Sequence, residues 1–374
     1  MKRFALFLLL YAAVVTSSEV TQPAGMTSDV VLGSTTNDDF ARRCASPAVV
    51  RCYNFDSDAE LSNRRAIKPY GYEYIAAMAS PVSGNVNRPY IDYTTFASGG
   101  GALRMDVPSQ SGPDGGGDWS GEWSYDGSVL FGPNSTFYVQ WRQRFSKALL
   151  DTLFLNTGGK ATGPKLALIT AGDIPPGVDP AYPNGHVYAS CEKIEIVVLV
   201  YSAHRFPVAY NECGVYRGFY EKVTAPGQTN ALDWKVENAM PEGCLYSAFN
   251  KQGYKTQPIP STPGCFNLLP NQWYTFQVAV TLGPRDRVTR RFLNSSFKLW
   301  GAPEGQPSQL IIDWNPASNG YFALADGTIT SPEWFGSIYL MPYMTGKDKK
   351  QVHPAATVWY DELIISRERI PDPQ

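Results

Sequence analysis

Between Thr136 and Phe145 the chain alternates. Phe137, Val139, Trp141 and Phe145 fall on one side, and Tyr138, Gln140, Arg142 and Arg144 on the other. This is the period-two pattern of a strand with one face on a core. Similar runs occupy residues 102–107, 165–169, 193–201, 273–282, 296–300, 309–313, 337–343 and 357–366. Turn-rich clusters at 113–117, 158–163 and 175–185 separate them. Gly or Pro interrupts nearly every window long enough for a helix; 146–155, capped by Ser146, is the candidate. So many short strands predict an all-β domain over residues 44–374, with two sheets packed on a shared core. Residues 19–43 are polar and without period, and read as a flexible leader.

The start of the chain has a different grammar. Lys2 and Arg3 precede an apolar run from Phe4 to Val15, and Thr16, Ser17 and Ser18 follow. Basic, apolar, then small residues make a secretory signal peptide over 1–18. The run is shorter than the about 20 apolar residues that a membrane span needs. A secreted, extracellular protein with no membrane partner is expected. In that compartment an even number of cysteines implies disulfides. The spacing of the six suggests three local pairs: Cys44–Cys52, Cys191–Cys213 and Cys244–Cys265. The sequons at Asn134 and Asn294 add glycosylation.

The net charge of −2 becomes more negative once Lys2 and Arg3 are removed, which argues against a nucleic-acid partner. With no C-x-x-C and three histidines, no metal site and no cofactor are expected. The D-G-G-G-D run from Asp114 to Asp118 reads as a turn, with a structural calcium as the other reading. A monomer is expected.

Candidate chemistry lies on the polar strand faces. Tyr138, Gln140, Arg142 and Arg144 share one face; Lys165 follows on the next strand, and Glu195 and Tyr201 on the one after. If these strands are neighbours, the side chains converge on a groove. Arg forks bind carboxylates and aromatic rings pack on sugar faces, so the groove suits a hydroxyl- or carboxylate-rich polymer. The alternative is a solvated sheet face laced with Arg–Glu pairs. His204, Tyr210 and Asn211 lie in the loop that a Cys191–Cys213 bridge would pin beside that face.

The runs FYVQWRQRFS (137–146), GGKATGPKLALI (158–169), CEKIEIV (191–197), NQWYTFQVAVTLG (271–283) and VWYDELIIS (358–366) resemble the jelly-roll polysaccharide lyases and their relatives. These belong to the concanavalin A-like lectin and glucanase superfamily. The resemblance implies an all-β, two-sheet jelly-roll sandwich. It also implies an extracellular polysaccharide as partner, cleaved at a uronate by β-elimination. Alginate lyases of this fold resemble the chain in a strand-borne lysine after a Gly-rich turn, here Lys165. Their later tyrosine pair corresponds to Tyr339 and Tyr343, with His204 as a further catalytic candidate. The R-x-E-x-R strand and Q-I-H triplet of alginate lyases are absent, which leaves the sugar open. Two other functions fit the same fold. A noncatalytic carbohydrate-binding protein needs only the groove. A glycoside hydrolase needs two carboxylates about 5–9.5 Å apart; Glu192 and Glu195, three residues apart, face opposite sides of a strand.

Overall fold

The most regular strand, β7 (Thr136–Phe145), lies inside a sheet of eight. Its neighbours are β12 (Trp273–Thr281) and β16 (Ala356–Ser366). Outward from β12 come β13 (Ser296–Pro303) and β14 (Gln309–Trp314). Outward from β16 come β5 (Ala102–Val107) and β4 (Tyr90–Asp92), and β1 (Val49–Tyr53) also pairs with β16. The second sheet starts at β2 (Ser62–Ala66), β3 (Tyr72–Met78) and β6 (Asp118–Glu122). It continues through β15 (Ser337–Leu340), β8 (Lys165–Thr170) and β9 (Glu195–Tyr201) to β10 (Phe206–Asn211) and β11 (Lys235–Val236). Among the described residues every pairing is antiparallel. This computed structural model describes residues 35–66, 72–78, 87–123, 129–172, 177, 180, 183–185, 195–201, 206–211, 235–236, 266–285, 292–314 and 334–374.

Alternation explains the core. Phe137, Val139, Trp141 and Phe145 of β7 meet Trp119, Ile338, Leu340, Ile169 and Val198 of the second sheet in one buried cluster. Each such side chain contributes about 1.5–3 kcal/mol on leaving water. Gly121 is required here, because a Cβ would sit 2.9 Å from the Trp119 ring and 3.2 Å from the Tyr53 hydroxyl. The Tyr360 hydroxyl of β16 donates to the Leu166 carbonyl of β8 at 3.0 Å, joining the two sheets through the core. The expected helix is present in shortened form as α2 (Lys147–Asp151), with the Ser146 hydroxyl accepting from Leu149 N–H. The protein is an all-β sandwich of two antiparallel sheets.

The flexible-leader reading needs correction over residues 35–43. Thr35–Cys44 is a helix, α1. It ends at a Cys44–Cys52 disulfide with Cα atoms 6.1 Å apart, as the spacing suggested. Residues 1–34 and Cys191, Cys213, Cys244 and Cys265 lie outside the described residues. Closing so short a loop is worth about 2–3 kcal/mol in the chain-entropy view. The double variant Cys44→Ser/Cys52→Ser is expected to lose stability of that order in urea titrations. An unchanged midpoint would show that α1 docks without help from the bridge.

Candidate functional site

The single groove expected from the polar faces does not form. Tyr138, Gln140, Arg142 and Arg144 belong to β7 in the first sheet, while Lys165, Glu195, Tyr201, Tyr210 and Asn211 belong to β8, β9 and β10 in the second. The chain changes sheet between β7 and β8, so consecutive strands are not neighbours. Tyr210 stands opposite Val197 in the register, but Asn211 stands opposite buried Ile196, so these two do not share a face. The side chains of Glu195, Tyr201, Tyr210 and Asn211, and all of His204, lie outside the described residues.

Three of the four residues in the polar row on β7 are sealed by other parts of the chain. Arg43 of α1 pairs with Asp39 at 2.9 Å, donates to Gln140 Oε1 at 2.7 Å and forms an ion pair with Glu362. Arg142 bridges Glu304 at 2.6 Å and Glu362 at 3.4 Å. Gln140 also donates to the Pro371 carbonyl at 3.1 Å, and Tyr138 packs against Val49, Ile364 and Ile370. Gln140 and Tyr138 are therefore occupied in docking α1 and the C-terminal tail, and Arg142 in holding Glu304 and Glu362, rather than lining a cleft. Beside them, burial and the charge of Glu362 push the Asp361 carboxyl well above its usual range. Arg144 alone of the four stays outside this seal.

The outer face of the second sheet keeps the other candidates together. Lys165 stands opposite Leu199, at a bulge that places Leu166 in the core cluster. Its backbone N–H donates to the Tyr343 carbonyl at 2.7 Å, and Nζ lies 5.2 Å from the Tyr343 ring centroid. Tyr339, half-buried, faces outward between buried Ile338 and Leu340. Tyr343 follows β15 in a loop rather than in the strand expected over 337–343. Opposite one another in the register are Thr170, Ser337 and Glu122, all buried. Among the described residues, the Thr170 and Ser337 hydroxyls have no hydrogen-bond partner. At the Lys165 end of the face, Asp118 stands two strands away, about 10 Å at ordinary strand spacing. Burial, with the charge of Asp114 second, lifts its carboxyl to about 6. The Asp114–Asp118 run thus supplies a group that ionises near neutrality. The run stood out in the sequence, where it reads as a turn with calcium as the other reading, and neither reading singles out a carboxyl that ionises near neutrality.

Asp118 yields a pH prediction. A carboxyl raised from its ordinary value near 3.8 to about 6 binds its proton more tightly folded than unfolded. Stability from this group is full below pH 3.8 and is lost as pH rises through about 6. Asp118→Asn is expected to be more stable than the parent at pH 7, by roughly 1–3 kcal/mol, and equal to it near pH 3. Parallel melting curves of the two proteins across this range check it; a constant offset would refute the assignment.

Other candidates resolve simply. His353 is buried edge-on against Phe154 at 5.0 Å, and its pKa is lowered by that burial; it serves packing. Asn134 and Asn294 are exposed, each with a left-handed backbone, φ 62° and 54°. No family model and no curated protein matches the chain. Among solved structures it is similar to the marine PL-14 alginate lyase from Aplysia kurodai, with 11% identity over 74% of this chain and 86% of that one, TM-score 0.40. It is similar also to an alginate lyase from Chlorella virus, 10% identical over 75% and 90% of the two chains, TM-score 0.36. The cellulose induced protein Cip1 is 11% identical over 86% of this chain and all of that one, TM-score 0.36. The fold assignment rests on the sheet topology itself.

Proposed function

We propose that the outer face of the second sheet is the active site of a secreted lyase that cleaves an acidic polysaccharide by β-elimination. The observation that carries this reading is Lys165, 6% exposed, held against the Tyr343 ring on the same sheet as a carboxyl that ionises near neutrality two strands away. β-Elimination at a uronate takes the proton next to the carboxylate and breaks the bond to the neighbouring glycosidic oxygen. The electron pair left by the proton forms the new C=C bond. The Lys165 ammonium neutralises the sugar carboxylate, which makes that proton acidic. Asp118, ionised above about pH 6, accepts it. The hydroxyls of Tyr339 and Tyr343 are the donors for the departing oxygen. Glycosylation at exposed Asn134 and Asn294, and action as a monomer outside the cell, belong to the same reading.

The test is incubation of the mature protein with a panel of uronate and neutral polysaccharides. Rising ultraviolet absorbance from unsaturated ends is expected on a uronate polymer. New reducing ends without absorbance would instead mark hydrolysis, and retention without either product would mark a binding protein; both overturn the lyase reading.

A further inference from the structure

The first sheet carries a second constellation on the part of its outer face that α1 leaves uncovered. Five residues stand directly opposite one another across five strands: Tyr90, Arg104, Trp359, Arg144 and Trp273. Rings and guanidinium groups alternate along this row. The Arg104 guanidinium lies 5.5 Å from the Tyr90 ring and 5.4 Å from the Trp359 ring, and Arg144 lies 5.6 Å from Trp359. Stacking of this kind leaves the guanidinium edges free to donate hydrogen bonds.

The two arginines differ in their charge balance. Arg104 is neutralised by Asp92 at 3.1 Å and Asp106 at 3.0 Å. Asp92 also accepts from the Trp359 indole at 2.9 Å. Although burial works to raise it, the hydrogen bonds from Thr94, Trp359 and Arg104 hold its carboxyl down at about 2. Arg144 has no carboxylate or hydrogen-bond acceptor among the described residues. Its buried Nε–H lacks a partner, and so does the indole N–H of 97%-buried Trp273 directly opposite. Unmet buried donors of this kind are costly, about 1–3 kcal/mol each, and they call for an oxygen acceptor. The neighbouring carboxylates are engaged elsewhere: Glu304 and Glu362 hold Arg142, and Asp361 accepts from the Ala97 and Ser98 N–H groups. At the other end of the row, Tyr90 is 41% exposed.

We propose that this ladder is a binding site for a carboxylated oligosaccharide, separate from the catalytic face. A uronate carboxylate takes the Arg144 guanidinium, and a sugar ring further along the chain packs on Tyr90. Arg144 and Tyr90 are three strand spacings apart, about 14 Å, so the ligand is a chain of several sugars rather than one. The site shares its ligand class with the proposed reaction but stands on the other sheet, and it would serve equally to hold polymer near a catalytic centre or to bind it alone.

Isothermal titration with tetramers of galacturonate and of mannuronate, and with cellotetraose as the neutral control, tests it on the full mature protein. The parent is expected to bind one of the uronate tetramers and to bind cellotetraose at least tenfold more weakly. Arg144→Gln and the exposed change Tyr90→Ala should each remove a binding step, or weaken it at least tenfold, with melting temperatures near the parent's. Lys165→Ala should retain that step. Titrations of Arg144→Gln and Tyr90→Ala that superimpose on the parent's, or a parent that binds no uronate tetramer, overturn the site. A parent without turnover that still shows Arg144-dependent binding supports the ladder while removing the lyase reading, so the two can fail separately.

Discussion

Lys165→Ala is expected to lower turnover on the responsive uronate polymer by about a hundredfold or more, the usual loss when a positioned electrostatic group is removed from a reaction centre. The structure changes what the control must show. From the sequence, Lys165 reads as a groove lysine whose removal leaves folding untouched. In the fold it is buried against Tyr343, and such a contact is worth about 0.5–2 kcal/mol. A modest fall in melting temperature is therefore expected with the activity loss. The informative comparison is Lys165→Arg, which keeps the charge over the ring. That variant should recover stability while recovering turnover only in part, because the guanidinium cannot place its charge as the ammonium does. A well-folded Lys165→Ala enzyme with full turnover would end the assignment of this face as catalytic.

Arg43→Ala is expected to be the most destabilising single change at the α1 contact, costing about 3–5 kcal/mol. Arg43 is buried and holds Asp39, Gln140 and Glu362 at once. Removing it leaves Glu362 facing Asp361 with Arg142 as its remaining ion-pair partner among the described residues. A buried Glu362 carboxylate that loses one of its two cations is far costlier than the pair it replaces. Replacing both partners by apolar residues, Arg43→Met with Glu362→Met, should recover much of the loss, since no stranded charge remains. Urea titrations of the singles and the double give the coupling between them. If Arg43→Ala matched the parent, α1 would be a passive cover, and the sealing of the β7 row would need another cause.

Much of this architecture could be read along the chain. Alternation located β5 and β7, strand-like runs located β12 and β16, and the Ser146 cap located α2. The short Cys44–Cys52 spacing predicted the bridge that forms. All of these are local signals, carried by residues within a strand's length of one another. The strands missed, β1 to β4, β6, β10 and β11, are short or mixed in polarity, and their pairing supplies most of their stability.

What only the tertiary structure decided is which sheet each strand joins. Alternation tells which residues share a face; it is silent on the neighbour, because strand pairing links residues hundreds of positions apart. Arg142 therefore looked like a groove residue beside Lys165, yet its partners are Glu304 and Glu362, 162 and 220 positions away. Arg43, in what reads as a leader, closes over the same row through Glu362, 319 positions distant. The Tyr–Arg–Trp–Arg–Trp ladder is assembled in the same way from five strands whose residues run from Tyr90 to Trp359. Its members are unremarkable singly, and their meaning comes from a register that closes only when the whole sheet is in place.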